Sequence, residues 1–270
     1  MKTIALFSIL LSTILYSSIL EDKVVSFIDP KEYKINKNLI TMLFKDEQKF
    51  IINDKIKYFK LFTTLKNNGL LNLNMNKPTK IFIEFELLSN STKGYKILND
   101  SLNALGYRYF LTYSLDTTDP TKISWIINFK TEYMIDPVIL LNDLQQKHCK
   151  ITNVEKIDKN FWKYSIDFTN SSIDAIKIEK DEKVRFNKPL SDYFIEVNNI
   201  KSLYIYSKKL NRWFPHIVFL DDTLKVLNVI KKDKIIKQLK VDVPKQTKYI
   251  KITDLYNLIN IKRGLTIIVR

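Results

Sequence analysis

Hydrophobic and polar residues follow a regular pattern between Lys80 and Phe168. The apolar period switches from two to about 3.6 and back, which predicts strand, helix, strand, strand, helix and strand in that order. This succession is typical of a split βαβ, ferredoxin-like fold. We expect Ile151–Ile157 to close the sheet, and Phe161–Phe168 to pair with it as an added hairpin strand. The first three predicted strands are Ile81–Leu87, Tyr107–Leu115 and Ile123–Phe129.

Helix start and stop signals support this order. Gly106 ends the first predicted helix, and Asp136 caps the second, with Pro137 in its first turn. Glu84 and Glu86 resemble a carboxylate pair, but residues two apart on a strand share one face. We therefore interpret both as solvent-facing residues of a sheet and not as an acid–base pair.

The pattern changes after the polar stretch at residues 169–172, because helical periodicity largely disappears there. Short strand candidates then follow at a spacing typical of a β-sandwich. They are Ala175–Ile178, Phe194–Val197, Leu203–Ser207, His216–Phe219, Leu224–Ile230, Ile235–Val243, Lys248–Ile252 and Leu265–Val269. The chain is thus predicted to be α+β, with a ferredoxin-like domain at residues 79–170 and an all-β sandwich at residues 171–270.

The N-terminus has the pattern of an export signal. Lys2 precedes an apolar stretch from Ile4 to Leu15, and small residues follow, which predicts a signal peptide over residues 1–20 and a periplasmic protein. The competing interpretation is an uncleaved inner-membrane anchor of about 18 residues. Residues 21–78 are expected to form a helical or irregular segment that packs on the next domain, with a helix capped by Asp54.

The chain is strongly basic, with a formal charge of +15, but only five of its 44 basic residues are arginine. The lysines are scattered, which favours a solvated surface of compositional origin. A functional anionic partner, either lipid head groups or an acidic polysaccharide, is the alternative. Nucleic acid is not expected, because the export signal separates the chain from it. With only four glycines, no Gly-rich phosphate loop or dinucleotide motif is present.

The residues that commonly carry catalysis or bind metal do not form a recognisable motif. Cys149 is the single cysteine; it adjoins His148, and His216 is the other histidine. We interpret Cys149 as a small buried residue. Four aspartates could hold calcium in loops, but their spacing favours turns: Asp221, Asp222, Asp242 and Asp254. We predict no catalytic residue, no cofactor and no metal.

One local cluster suggests ligand binding. Arg212, Trp213 and Phe214 follow a polar turn, and Tyr206 lies on the preceding strand. A flat aromatic ring beside an arginine could stack on a sugar or hold an acidic group. The alternative is that Trp213 and Phe214 pack in the core of the sandwich.

The chain over residues 60–265 resembles an uncharacterised family of periplasmic proteins from Campylobacter- and Helicobacter-type bacteria. The matching segments are Asn68–Leu73, Leu102–Tyr107, Thr131–Tyr133 leading into Asp136-Pro137, Trp213–Pro215, Val229–Lys234 and Tyr249–Tyr256. The resemblance implies a location in the Gram-negative periplasm and contributes no catalytic motif.

Three functions follow from these observations. The first is a non-catalytic periplasmic protein that serves as a scaffold or assembly module of the cell envelope. The second is a glycan-binding protein that uses the C-terminal sandwich, with Arg212, Trp213, Phe214 and Tyr206 as candidate contacts. The third, an enzyme, has the least support from the residues.

Overall fold

The computed structural model describes residues 19–89, 91–119 and 121–270, which form a mixed α+β protein. The helices are α1 (Ile19–Phe27), α2 (Pro30–Ile35), α3 (Lys37–Phe44), α4 (Tyr58–Asn67), α5 (Ser91–Ala104) and α6 (Pro137–Gln146). The first strands are β1 (Ile51–Ile52), β2 (Lys55–Ile56), β3 (Asn74–Leu88), β4 (Leu111–Asp116), β5 (Lys122–Tyr133), β6 (Lys150–Asp158) and β7 (Phe161–Asp167). The α+β class expected from the pattern is confirmed.

The later strands follow β7 with little helix between them. They are β8 (Ile176–Lys177), β9 (Lys183–Arg185), β10 (Tyr193–Glu196), β11 (Ser202–Ser207), β12 (Pro215–Leu220), β13 (Val226–Lys231), β14 (Gln238–Asp242), β15 (Tyr249–Asp254) and β16 (Leu265–Val269). Short 3-10 helices lie at Glu47–Lys49 and Leu258–Ile261.

The central sheet has the order β4-β5-β3-β7-β6, and β3 pairs antiparallel with β5 and parallel with β7. β6 and β7 pair as the expected hairpin, but they exchange positions relative to a ferredoxin-like sheet: β7 lies beside β3, and β6 lies at the edge. The burial of the two strands explains the exchange. On β7, Trp162, Tyr164 and Ile166 are all buried against the helices, whereas on β6 only Val154 is buried.

The N-terminal helices share the core of the central sheet. Phe27 of α1 and Phe62 of α4 meet edge to face with centroids 4.6 Å apart, and Trp162 lies 5.9 Å from Phe62. Asp54 is not the cap of α4. It lies in the β1–β2 turn at φ 59°, and the helix begins only at Tyr58. The boundary expected at residue 78 falls inside β3, which starts at Asn74.

Most of the predicted export segment lies outside the described residues, which begin at Ile19. Ile19 and Leu20 belong to α1, and Leu20 is buried in the core. None of the helices in the described ranges is long and apolar enough to cross a membrane.

The C-terminal half contains two sheets that enclose a second hydrophobic core. Their strand orders are β13-β12-β15-β10-β8 and β14-β11-β16-β9. Buried side chains alternate along the strands, so that Ile217 and Phe219 of one sheet and Leu203 and Ile205 of the other join this core. The sequence pattern missed β9.

The other face of the first C-terminal sheet packs against the central part of the protein. Leu220 and Tyr249 are buried in the first core, and Phe194 and Val218 pack against it. The Lys96 ammonium of α5 lies 4.9 Å from the centre of the Phe194 ring. The two halves therefore meet through a packed interface.

Candidate binding surface

The outer face of the β14-β11-β16-β9 sheet carries two tyrosines and several cations. On β11, Leu203 and Ile205 point into the core, so Tyr204 and Tyr206 share the opposite face. The pairing registers place the next side chains beside them. One row across the four strands is Lys240, Tyr204, Ile268 and Lys183, and the next is Gln238, Tyr206, Thr266 and Arg185. We call the surface formed by Tyr204, Tyr206, Lys183, Arg185, Lys240 and Arg270 the basic tyrosine face.

Two cations flank the ring of Tyr204. The Lys240 ammonium lies 5.3 Å from the ring centre, and the Arg270 guanidinium lies 5.2 Å from it. The hydrogen bond from Lys240, together with the positive charges of Lys240 and Arg270, lowers the pKa of the Tyr204 hydroxyl. The tyrosine is thus held in a region of positive potential.

The cations of the face are exposed and unneutralised. Lys183, Arg185, Lys240 and Arg270 are all solvent-exposed, and none forms an ion pair within the described part of the chain. Tyr206 is exposed, and a hollow of about 330 Å³ lies beside Tyr204, Tyr206 and Lys240. Such a surface offers stacking platforms and charge to an anionic ligand.

The cluster singled out by sequence is divided between core and surface. Trp213 has no exposed area, and its indole N–H donates to the Thr253 carbonyl at 2.9 Å, so it packs in the core and offers no surface for a ligand. Phe214 is half-buried and packs edge to face on Tyr256, while Arg212 is exposed. Tyr206 lies on the outer face of the other sheet. The structure does not bring these four residues together.

Asp254 explains why the Trp213 loop is fixed. Its carboxylate accepts from the backbone N–H of Phe214 at 2.8 Å, of Tyr256 at 3.0 Å and of Asn257 at 2.9 Å. The Asn260 side-chain amide donates a fourth bond at 2.9 Å. Asp254 is therefore a structural acceptor that joins three segments. Asp221 likewise closes a turn by accepting from Thr223 and Lys225.

A groove of about 760 Å³ lies between α5 and the C-terminal half. Two of the three lysines that line it have acidic partners: Lys96 meets Asp100 at 2.7 Å, and Lys251 meets Asp192 at 3.3 Å. The lining lysines are matched in number by three aspartates. His216 lies on the same sheet as Lys251, and burial together with nearby lysines lowers its pKa. Because its charges are balanced, the groove gives no reason to prefer an anion over a neutral ligand.

Glu84 and Glu86 lie on the open face of the central sheet, as the alternation predicts, and Lys163 bridges them at 3.4 and 3.1 Å. Ser124 donates to Glu84 at 2.9 Å and Ser165 to Glu86 at 2.6 Å. These bonds occupy the carboxylates in a sheet-spanning network, which is how charged residues on a strand stabilise their neighbours.

Cys149 and His148 do not act together. Cys149 is buried, and burial raises the pKa of its thiol to about 12. His148 is exposed at φ 57°, and its ring nitrogen lies 3.1 Å from the Ser172 hydroxyl. Within the described ranges, His, Cys, Asp and Glu residues form no group of three that could hold a metal ion.

Sequence reasoning found Tyr206 but missed the rest of the basic tyrosine face. The alternation along β11 was sufficient to place Tyr204 beside Tyr206. The cations lie on β9, on β14 and directly after β16, which are distant in sequence, so local patterns do not identify them as neighbours. Comparison with models of protein families and with curated protein sequences finds no match to this chain.

Proposed function

We propose that this protein is a non-catalytic component of the cell envelope that holds an acidic polysaccharide on its basic tyrosine face. The observation that carries the proposal is the arrangement of Tyr204 and Tyr206 on one strand, with four exposed cations around them that form no ion pair among the described residues. Lys183, Arg185 and Lys240 lie on the other strands of the sheet, and Arg270 directly follows β16. Among the described residues, Asp242 is the one acidic side chain that the registers place on this face.

The geometry suits an extended chain of sugars. Side chains two apart on a strand are separated by about 7 Å, and neighbouring strands by about 4.8 Å. A pyranose ring can lie on the exposed Tyr206 ring, and carboxylate or sulfate groups of the neighbouring sugars can then bond to Lys240 and Arg270 beside Tyr204. Because the cations are exposed, the binding is expected to weaken as salt is raised.

We further propose that the protein is located in the periplasm and that the N-terminal apolar stretch is a signal peptide that is removed. We also propose that the protein belongs to the periplasmic family of Campylobacter- and Helicobacter-type bacteria. The support is the sequence pattern and the quoted motifs. For the fold, we propose a ferredoxin-like sheet with one additional strand and a C-terminal β-sandwich. In this proposal, the central part serves as a scaffold for the binding half.

The test is direct titration of the protein with polygalacturonate, an acidic polymer, and with dextran, a neutral one, followed by calorimetry. We expect binding of the acidic polymer alone. Substitution of Tyr206 by Ala removes a stacking ring and is expected to weaken binding about tenfold, in line with a contact of 1–2 kcal/mol. Lys240→Met is expected to weaken binding and to reduce its dependence on salt.

Matched controls separate the face from the general charge of the protein. Tyr133→Ala removes a similarly exposed tyrosine, and Lys31→Met removes an exposed lysine of α2; both are expected to leave binding unchanged. Equal losses with the controls would show nonspecific attraction and refute the proposal. Tighter binding of a single-stranded oligonucleotide than of any polysaccharide would also refute it.

A further inference from the structure

The outermost strand of the central sheet, β4, is exposed along its whole length. It pairs with β5 on one side and is the last strand of the sheet on the other. Leu111 is 70% exposed, Tyr113 62% and Leu115 52%, and Tyr109, just before the strand, is 92% exposed. Exposed apolar side chains on a strand whose outer edge has no partner favour pairing of that edge with another strand.

The opposite edge of the same sheet is protected. Lys23 of α1 donates to the Asn153 side chain at 2.9 Å and to the Val154 carbonyl of β6 at 3.2 Å. Lys156 of β6 in turn reaches the Phe27 carbonyl at 3.3 Å. Charged residues and covering helices thus block β6, which is a common way to prevent edge pairing. On β4, no charge occurs between Arg108 and Asp116.

We propose that β4 pairs antiparallel with the β4 strand of a second copy, so that two central sheets form one continuous sheet across a twofold axis. The charges that bound the exposed stretch identify a second copy as the occupant, because Arg108 lies three residues before β4 and Asp116 is its last residue. Arg108 and Asp116 lie four residues either side of Thr112. An antiparallel pair centred on Thr112 therefore sets each Arg108 near the Asp116 of the other copy, and a parallel pair would not.

The apolar residues match in the same arrangement. Leu111 and Tyr113 lie next to the axis, where those of the two copies meet and are removed from water together. The irregular register between Thr112 and Ser114 shifts the pairing beyond Thr112 by about one residue, so Arg108 lies near the Asp116 of the other copy and not directly opposite it. A hollow of about 310 Å³ beside Leu115, Tyr95 and Ile123 lies at the end of the strand that the second copy's Tyr109 approaches.

Sedimentation velocity of the protein expressed from its full coding sequence tests the pairing. We expect a dimer at tens of micromolar, and loss of that dimer in Leu111→Lys, because two ammonium groups would meet beside the axis. Leu190→Lys is the matched control, since Leu190 is 96% exposed but lies in the C-terminal half. A monomer at every concentration, or a dimer that Leu111→Lys leaves unchanged, would overturn the proposal.

Charge and register give independent readouts. Arg108→Glu is expected to weaken the dimer about tenfold or more, and adding Asp116→Lys is expected to restore it. Thr112→Cys is expected to form a disulfide between copies on mild oxidation. Leu115→Cys is expected not to, because two such residues lie about 20 Å apart across the axis. Crosslinking of Leu115→Cys without Thr112→Cys would contradict the register. Unfolding in urea confirms that each variant is folded.

Discussion

The ring of Phe168 lies directly against the backbone of Gly94 in α5. A Cβ atom at Gly94 would approach the Phe168 ring to 2.6 Å, which is closer than carbon atoms can pack. Phe168 is fully buried and follows the last strand of the central sheet. The glycine therefore allows the helix to pack closely on the chain segment that leads into the C-terminal half.

We predict that Gly94→Ala lowers the free energy of unfolding by about 2 kcal/mol, although alanine favours helix more than glycine by about 1 kcal/mol. The reason is that the Phe168 ring must move or adopt a strained rotamer. Adding Phe168→Leu makes room and is expected to recover part of the loss. Urea denaturation measures both variants; an equally or more stable Gly94→Ala protein would refute the contact.

Glu86 makes the stability depend on pH. Burial acts to raise the pKa of Glu86, but hydrogen bonds from Ser165 and Lys163, with the charge of Lys163, outweigh it and hold the pKa below its usual value. The folded state thus favours the carboxylate form of Glu86. This stabilisation is fully present above the pKa of Glu86 in the unfolded state, about 4.3, and is lost as the pH falls through the lower pKa of Glu86 in the folded state. We predict that Glu86→Gln is less stable at pH 7 and that the difference narrows below about pH 4.

Urea unfolding between pH 7 and pH 3 measures this difference. Glu132→Gln, at an exposed position of β5, is the control and is expected to change stability by less than about 0.5 kcal/mol at each pH. A constant difference between wild type and Glu86→Gln across this range would contradict the prediction.

Cys149 is predicted to resist alkylation in the folded protein. With a pKa of about 12, only about one thiol in ten thousand is a thiolate at pH 8. In the native protein, we expect iodoacetamide to label the thiol only as fast as the protein unfolds. In the protein unfolded by urea, we expect rapid labelling; mass spectrometry follows both reactions. Rapid labelling of the native protein would show that the thiol is accessible.

Trp213 is predicted to matter for stability and not for ligand binding. Replacement by Phe removes the N–H that serves the Thr253 carbonyl and leaves a space in the core, at a cost of about 1–3 kcal/mol. Polygalacturonate affinity is expected to stay at the wild-type value, in contrast to Tyr206→Ala. If Trp213→Phe lost affinity without losing stability, Trp213 would belong to the binding site and the prediction would be wrong.

Much of the architecture follows from alternation alone. All eight strand candidates after residue 172 overlap strands of the structure, and alternate positions face a core in most of them, although both residues of β8 are exposed. The omission of β9 has a simple cause. Lys183–Arg185 has one apolar residue between two cations, and it becomes a strand only by pairing with β16.

Alternation does not indicate which strands become neighbours. Tyr107–Leu115 was expected to bury one face, yet β4 begins at Leu111 and is exposed on both, because edge position leaves it without a covering neighbour. The same limitation applies to the basic tyrosine face. Tyr204 and Tyr206 are readable on one strand, but Lys240 and Arg270 reach them only through long-range pairing.

The packing of the C-terminal half on α5 links the folding of the two parts. Leu220 and Tyr249 are buried only where the central part covers them, so neither half can unfold without exposing apolar surface on the other. We expect one cooperative transition and not two. A substitution that loosens α5 would therefore also raise the fraction of molecules that lack a folded basic tyrosine face, although α5 contributes no residue to it.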